Sequence, residues 1–270
     1  MKLKKALEKA REFQSEDSGT KSQIHSLRPR PKARGEDWTP PVYAESRRAA
    51  LDPGELINRH CIGIDPAAPE IKHYKVLRTK IQHLTKPRGW RTLMITSPHE
   101  AEGKTLTAIN LALTFAKAYN QTVMLVDCDL RRQGIHKTLG YECEKGLVDY
   151  LEGKEELKSL ITWPGIDQMT VVSGGRCAVN SAELLGSVRM KALVQELKER
   201  YEDRFVLFDT APVLSGADAI ALAAHVDCIL LVVEEGKTDL RDAKKALAML
   251  PREKVLGFVL NRQEHPSKKE

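Results

Sequence analysis

A chain of 270 residues, 41% hydrophobic and 30% charged, holds enough apolar material to fill one sizeable core but hardly two. The net charge of +6 is unevenly placed: residues 1–48 hold twelve Lys or Arg against seven Asp or Glu, and the remaining 222 are nearly neutral, which argues against a core domain that binds nucleic acid. Unbroken apolar runs such as 228–233 fall far short of the ~18–20 residues that cross a bilayer. The opening MKLKKALEKAREF lacks the apolar stretch and cleavage site of an export signal, so a cytoplasmic protein is expected. Cys61, Cys128, Cys143, Cys177 and Cys228 lie far apart without metal-ligand spacing, as reduced and mostly packed thiols would.

Residues 1–58, with the run RPRPKARGEDWTPP, read as a flexible basic N-terminal segment, followed by one domain over 59–270. Within the segment Leu3, Leu7, Ala10 and Phe13 recur at helical spacing amid Lys and Arg, which predicts either a short basic amphipathic helix or a solvated, frayed one. Short, continuously apolar runs then predict strands at 92–96, 123–126, 169–172, 205–208, 228–233 and 255–260, each buried on both faces. Helices are expected at 105–119, from about 181 to 201, and at 239–250. Strand and helix in alternation imply an α/β fold with a mostly parallel sheet and helices on both faces, whose ligands bind beyond the carboxyl ends of the strands.

The first of those strand ends is followed by Thr96-Ser97-Pro98-His99-Glu100-Ala101-Glu102-Gly103-Lys104-Thr105 and then a helix. A glycine before a helix lets backbone N–H groups close on phosphate oxygens, Lys104 reaches the β and γ phosphates, and the Thr105 hydroxyl suits Mg²⁺. The second strand ends in Asp127-Cys128-Asp129-Leu130-Arg131 and a later one in Asp209-Thr210-Ala211-Pro212. Carboxylates at the ends of apolar strands are costly to bury unpaired, so a cation is their natural partner. Three such segments fit one Mg-nucleotide site of a P-loop NTPase.

The trio GKT, LVDCDLR and VLFDTAP resembles the Walker A, A′ and B motifs of the deviant P-loop ATPases of the MinD and ParA kind. Within that group, HYKVLRTKI, TSPHEAEGKT and NSAELLGS are similar to segments of the bacterial tyrosine kinases of capsule and exopolysaccharide synthesis. The resemblance, which runs from about residue 60 to 262, implies ATP and Mg²⁺ as cofactors. Ala101, Glu102, Gly103, Lys104, Thr105 and Leu106 would form the nucleotide-binding loop, and Asn261 with Arg262 would reach the adenine end. Thr105, Asp127 and Asp209 would be the metal set, with Asp209 acting through water and Asp129 in support. Asp127 would also be the base that prepares the attacking hydroxyl, and Arg131 would stabilise phosphate charge or a neighbouring subunit.

Three departures from the family pattern stand out. Ala101 replaces a usual glycine, Lys72 replaces the first acid of the oligomer-forming E-x-x-R-x-x-R helix, and no tyrosine follows Tyr201, so the C-terminal tyrosine cluster is unmatched. Tyr43 is then a candidate acceptor. The expected function is an ATP-dependent protein tyrosine kinase, or a kinase-derived ATPase switch, that regulates exopolysaccharide chain length and export. Its partners would be an inner-membrane chain-length regulator (co-polymerase), a tyrosine-bearing protein substrate and further copies of itself, at the inner face of the plasma membrane and without nucleic acid. The alternatives are a positioning ATPase like MinD or ParA, favoured by the basic tail, and an ATP-binding scaffold with little turnover.

Overall fold

The computed structural model describes residues 46–118 and 121–263. Its sheet is built around β2 (Thr92–Thr96), β3 (Thr122–Cys128), β6 (Arg204–Thr210) and β7 (Cys228–Glu234). With β1 (Arg47–Arg48), β4 (Ile161–Trp163), β5 (Met169–Val172) and β8 (Val255–Asn261), the order is β1-β4-β5-β3-β6-β2-β7-β8. All pairings are parallel except β4 with β5. The expected mostly parallel α/β architecture is what the chain adopts.

Because successive strand residues face opposite ways, β2 feeds two cores at once. Leu93 and Ile95 join one with Val123, Leu125 and Leu207, while Met94 joins the other with Met124, Val206 and Phe208. The first core is closed by α3 (Lys104–Ala116), whose Phe115 ring stacks on Phe205 at a centroid distance of 4.8 Å. A fully buried side chain of this size contributes about 1.5–3 kcal/mol, so α3 is anchored chiefly by its apolar residues, from Ala108 to Phe115. Outside it lies α2 (Ile71–Thr85), tied down by the Arg78 guanidinium donating to the Thr114 carbonyl at 2.6 Å.

The second core is closed by α8 (Val188–Glu199), which presents Met190, Leu193, Val194 and Leu197, together with α9 (Asp218–Ala223) and the short α7 (Ser181–Leu185). The single helix expected from about 181 is therefore two. Ser187 interrupts it by adopting an extended conformation and capping α8, its hydroxyl accepting from Met190 N at 3.1 Å. The helix expected over 239–250 is α10 (Leu240–Ala248), capped by Asp239. Three short helices, α4 (Gly134–Leu139), α5 (Leu147–Leu151) and α6 (Leu157–Leu160), lie in the connection from β3 to β4.

The sequence put the start of the domain at residue 59, yet two elements precede that point. These are β1, paired with β4, and α1 (Pro53–Asn58), whose N-terminus is capped by Asp52 and whose Leu56 is buried. The predicted helix over Leu3 to Phe13 and Tyr43 lie outside the described residues. Cys61, Cys128 and Cys228 are buried, Cys143 is half-buried and Cys177 is exposed. Among the described residues no helix is long and apolar enough to cross a membrane.

Candidate active site

Strand register creates the site. In the parallel pairing of β3 with β6, Asp127 stands opposite Asp209, so two carboxylates 82 positions apart in sequence become lateral neighbours where both strands end. Both are completely buried. The loop after β2 folds over this end and delivers Lys104 at the start of α3, with Nζ 2.7 Å from Asp129 Oδ2 and 3.7 Å from Asp209 Oδ1. The same ammonium lies 3.2 Å from Thr105 Oγ1.

The loop holds its shape through backbone conformation and three braces. Gly103 has φ +91°, and a Cβ there would come within 2.1 Å of Asn261 Nδ2, so only glycine fits. Ala101 also has a positive φ, 62°. The Glu102 side chain is buried, its carboxylate accepting from His99 N at 2.8 Å and from the Thr238 hydroxyl. Asn261 Nδ2 donates to the Glu102 carbonyl at 2.9 Å, and the exposed His99 ring meets Asp242 at 2.8 Å.

Charge is imperfectly compensated below the loop. Asp127 accepts from Asp129 N at 3.1 Å and from Ile135 N at 3.0 Å, whereas neither Asp209 oxygen completes a well-formed hydrogen bond, the Lys104 ammonium standing 3.7 Å off. Burial, reinforced by the Asp209 charge, pushes the Asp127 carboxyl up to about 8. Burial also raises Asp209, to about 6, against the pull of Lys104 and Thr105. For Lys104 burial alone would favour the neutral amine, but Asp209, Asp129 and Asp127 outweigh it and hold the ammonium above its ordinary range. A buried, under-compensated carboxylate beside a hydroxyl and a second carboxylate is a hard-oxygen set suited to cationic charge. Among the described residues no three or more His, Cys, Asp or Glu side chains form an all-protein metal cage.

Above these groups opens a cavity of about 320 Å³. Ala101, Gly103, Lys104, Thr105, Leu106, Asp129 and Arg262 all line it, whereas Glu102 and Asn261, also expected to bind nucleotide, are not among the lining residues. Arg131 is not among the lining residues. Its Nε is held 3.0 Å from Ser181 Oγ and 3.2 Å from Asp218 Oδ2, on the side of α7 and α9. Of the two adjacent arginines it is Arg132 that lines the cavity, and Glu100, Thr138 and Pro212 join it. The sequence showed two adjacent arginines, but nothing in its spacing said which one faces the cavity.

The family model described as an AAA domain matches residues 92–250. The tyrosine-protein kinase YwqD of Bacillus subtilis is 34% identical over 211 residues, 77% of this chain and 88% of that protein. This chain belongs to the bacterial tyrosine kinases. Another member of the family, the tyrosine-protein kinase wzc of Salmonella typhi, is 30% identical over 199 residues, 73% of this chain but 27% of that longer protein. The kinase domain of the Escherichia coli tyrosine kinase ETK superposes with a TM-score of 0.71 at 27% identity, covering 83% of this chain and 87% of that one.

Proposed function

We propose that this bacterial tyrosine kinase binds Mg-ATP in the cavity above Lys104 and transfers its γ-phosphoryl group to a protein tyrosine. The observation that carries the reading is the convergence of Lys104, Asp127, Asp129 and Asp209, from three separate strand ends, beside a cavity large enough for a nucleotide. Phosphoryl transfer asks for positioning and charge neutralisation more than covalent work, and these groups supply both.

In this reading Lys104 exchanges its contact with Asp129 for the β and γ phosphates. Backbone N–H groups from Ala101 to Leu106 wrap the phosphates, while Glu102 braces the loop from behind. Thr105, Asp127 and Asp209 would hold Mg²⁺, with Asp129 in support, and the ion would supply charge neutralisation for the phosphates. Asp127, buried at the end of β3 beside Asp209, takes the proton of the incoming tyrosine hydroxyl. In the same reading Arg262, which lines the cavity, and Asn261 reach the adenine end, and binding of adenine would draw the Asn261 amide off the Glu102 carbonyl.

In the same reading the protein acts with an inner-membrane chain-length regulator of polysaccharide export, as an oligomer at the cytoplasmic face of the membrane. Incubation with γ-labelled ATP and Mg²⁺ tests the reading: label on tyrosine of the protein itself or of an added tyrosine-containing protein supports it. ATP hydrolysis with no phosphotyrosine leaves only the switch, and binding of neither ATP nor ADP removes both.

A further inference from the structure

We infer that Arg132, rather than Arg131, is the arginine that contacts the transferring phosphate, and that Glu100 of the P-loop occupies it until nucleotide arrives. The inference rests on the proposed ATP site and deepens it. Two consecutive arginines follow the Asp127-Cys128-Asp129 turn, and the fold sends them in opposite directions. Arg131 Nε is bound to Ser181 Oγ and Asp218 Oδ2, and Ser181 in turn donates to Asp218 Oδ1 at 2.8 Å. The Asp218 side chain is only 3% exposed, so pulling Arg131 toward a phosphate would strand a buried carboxylate. Removing one member of such a pair is among the costlier changes a fold can undergo. Arg131 therefore stays where it is and fixes the loop.

Arg132 has the opposite energetics. It lines the cavity with Lys104 and Asp129, its backbone N–H donates to Asp129 Oδ1 at 3.2 Å, and its guanidinium pairs with the Glu100 carboxylate across the cavity mouth. Both partners are half-exposed, at 59% and 46%, and a solvated pair of this kind is worth little. A γ-phosphate offers the same guanidinium a bidentate, charge-assisted contact of greater strength. Exchange of Glu100 for phosphate is therefore downhill. The freed Glu100 returns to solvent, because nothing buries it. Glu100 thus sets a modest threshold for nucleotide entry, and Arg132 carries the charge stabilisation when the γ-phosphoryl group leaves ADP.

The test is a double-mutant cycle on Arg132→Ala and Glu100→Gln, with Arg132→Lys as the conservative control, scored by turnover and by affinity for fluorescent ATP and AMP analogues. Arg132→Ala is expected to lower kcat by roughly a hundredfold, with a thermal midpoint near that of wild type because the side chain is exposed. Arg132→Lys should recover part of that loss. Glu100→Gln should tighten ATP several-fold and AMP hardly at all, and this gain should vanish in the double variant. Wild-type kcat in Arg132→Ala, or the same effect of Glu100→Gln with and without Arg132, overturns the inference while leaving the ATP site standing. Failure of wild type to bind ATP overturns the site itself. Should Arg132→Ala not fold, the ATP-to-AMP affinity ratio of Glu100→Gln alone decides, and an unchanged ratio counts against the inference.

Discussion

The Lys104 ammonium donates to the Asp129 carboxylate at 2.7 Å, pinning the loop after β2 to the loop after β3. Both side chains are almost wholly buried, so each neutralises a charge that would otherwise be stranded in a poorly solvated place. In the proposed site phosphate and Mg²⁺ would relieve the same two needs, the phosphate by taking the lysine and the metal by taking the carboxylates. The site is held together without nucleotide by the groups that nucleotide would redistribute.

Ala101 occupies a left-handed backbone conformation, φ 62°, that costs a non-glycine residue about 1 kcal/mol. Ala101→Gly should relieve that strain, part of which is offset by greater freedom in the unfolded chain. A small rise in nucleotide affinity, at most a few-fold, with little change in thermal midpoint is expected from calorimetry. A marked loss of binding would show that the alanine methyl makes a contact of its own.

Stability should depend on pH in a direction set by the buried carboxyls. Asp127 and Asp209 have folded values raised to about 8 and about 6, above the ~4 of an unfolded aspartate. The folded state therefore binds more protons than the unfolded one in that window, and stability is present at low pH and lost as pH rises through the folded values. Without nucleotide, the melting temperature should fall from pH 5.5 to pH 8, and Asp127→Asn should shrink that fall. Binding of Mg-ATP should release protons, measurable in buffers of different ionisation enthalpy.

Asp227 provides a contrast at the opposite end of the sheet. Its carboxylate accepts from Arg91 N at 2.8 Å, Thr92 N at 3.1 Å and the Lys198 ammonium, holding the entry of β2 against β7. Burial works against its charge, but these donors prevail and keep the carboxyl below its usual range. Its contribution is present above about pH 4 and lost as pH falls further. Asp227→Ala should cost about 1–3 kcal/mol in urea unfolding and leave kcat unchanged, since the residue lies far from the strand ends that carry the site.

Much of this was legible in the sequence because parallel strands buried on both faces must be continuously apolar. The runs at 92–96 and 169–172 coincide with β2 and β5, and four others extend by one to three residues into polar positions, Asp127, Asp209 and Asn261 among them; β8 departs from the expected burial on both faces because it is an edge strand, with Phe258 and Leu260 exposed. Strands β1 and β4 were not legible: two or three residues give no periodicity, and their pairing is decided by tertiary contact. The site residues that alternate with the motifs were missed for a similar reason. Arg132 and Glu100 meet across 32 positions, and only the folded loops bring them together.

The most direct test of the whole account is the affinity of Mg-ATP for wild type and Lys104→Met, measured by titration calorimetry. The account predicts one Mg-dependent site per chain in wild type and a loss of roughly a hundredfold or more in the variant, as expected when a charge-assisted phosphate contact is removed. Equal affinities in the two proteins would contradict the placement of the triphosphate on Lys104, and with it the roles given to Asp127 and Asp209.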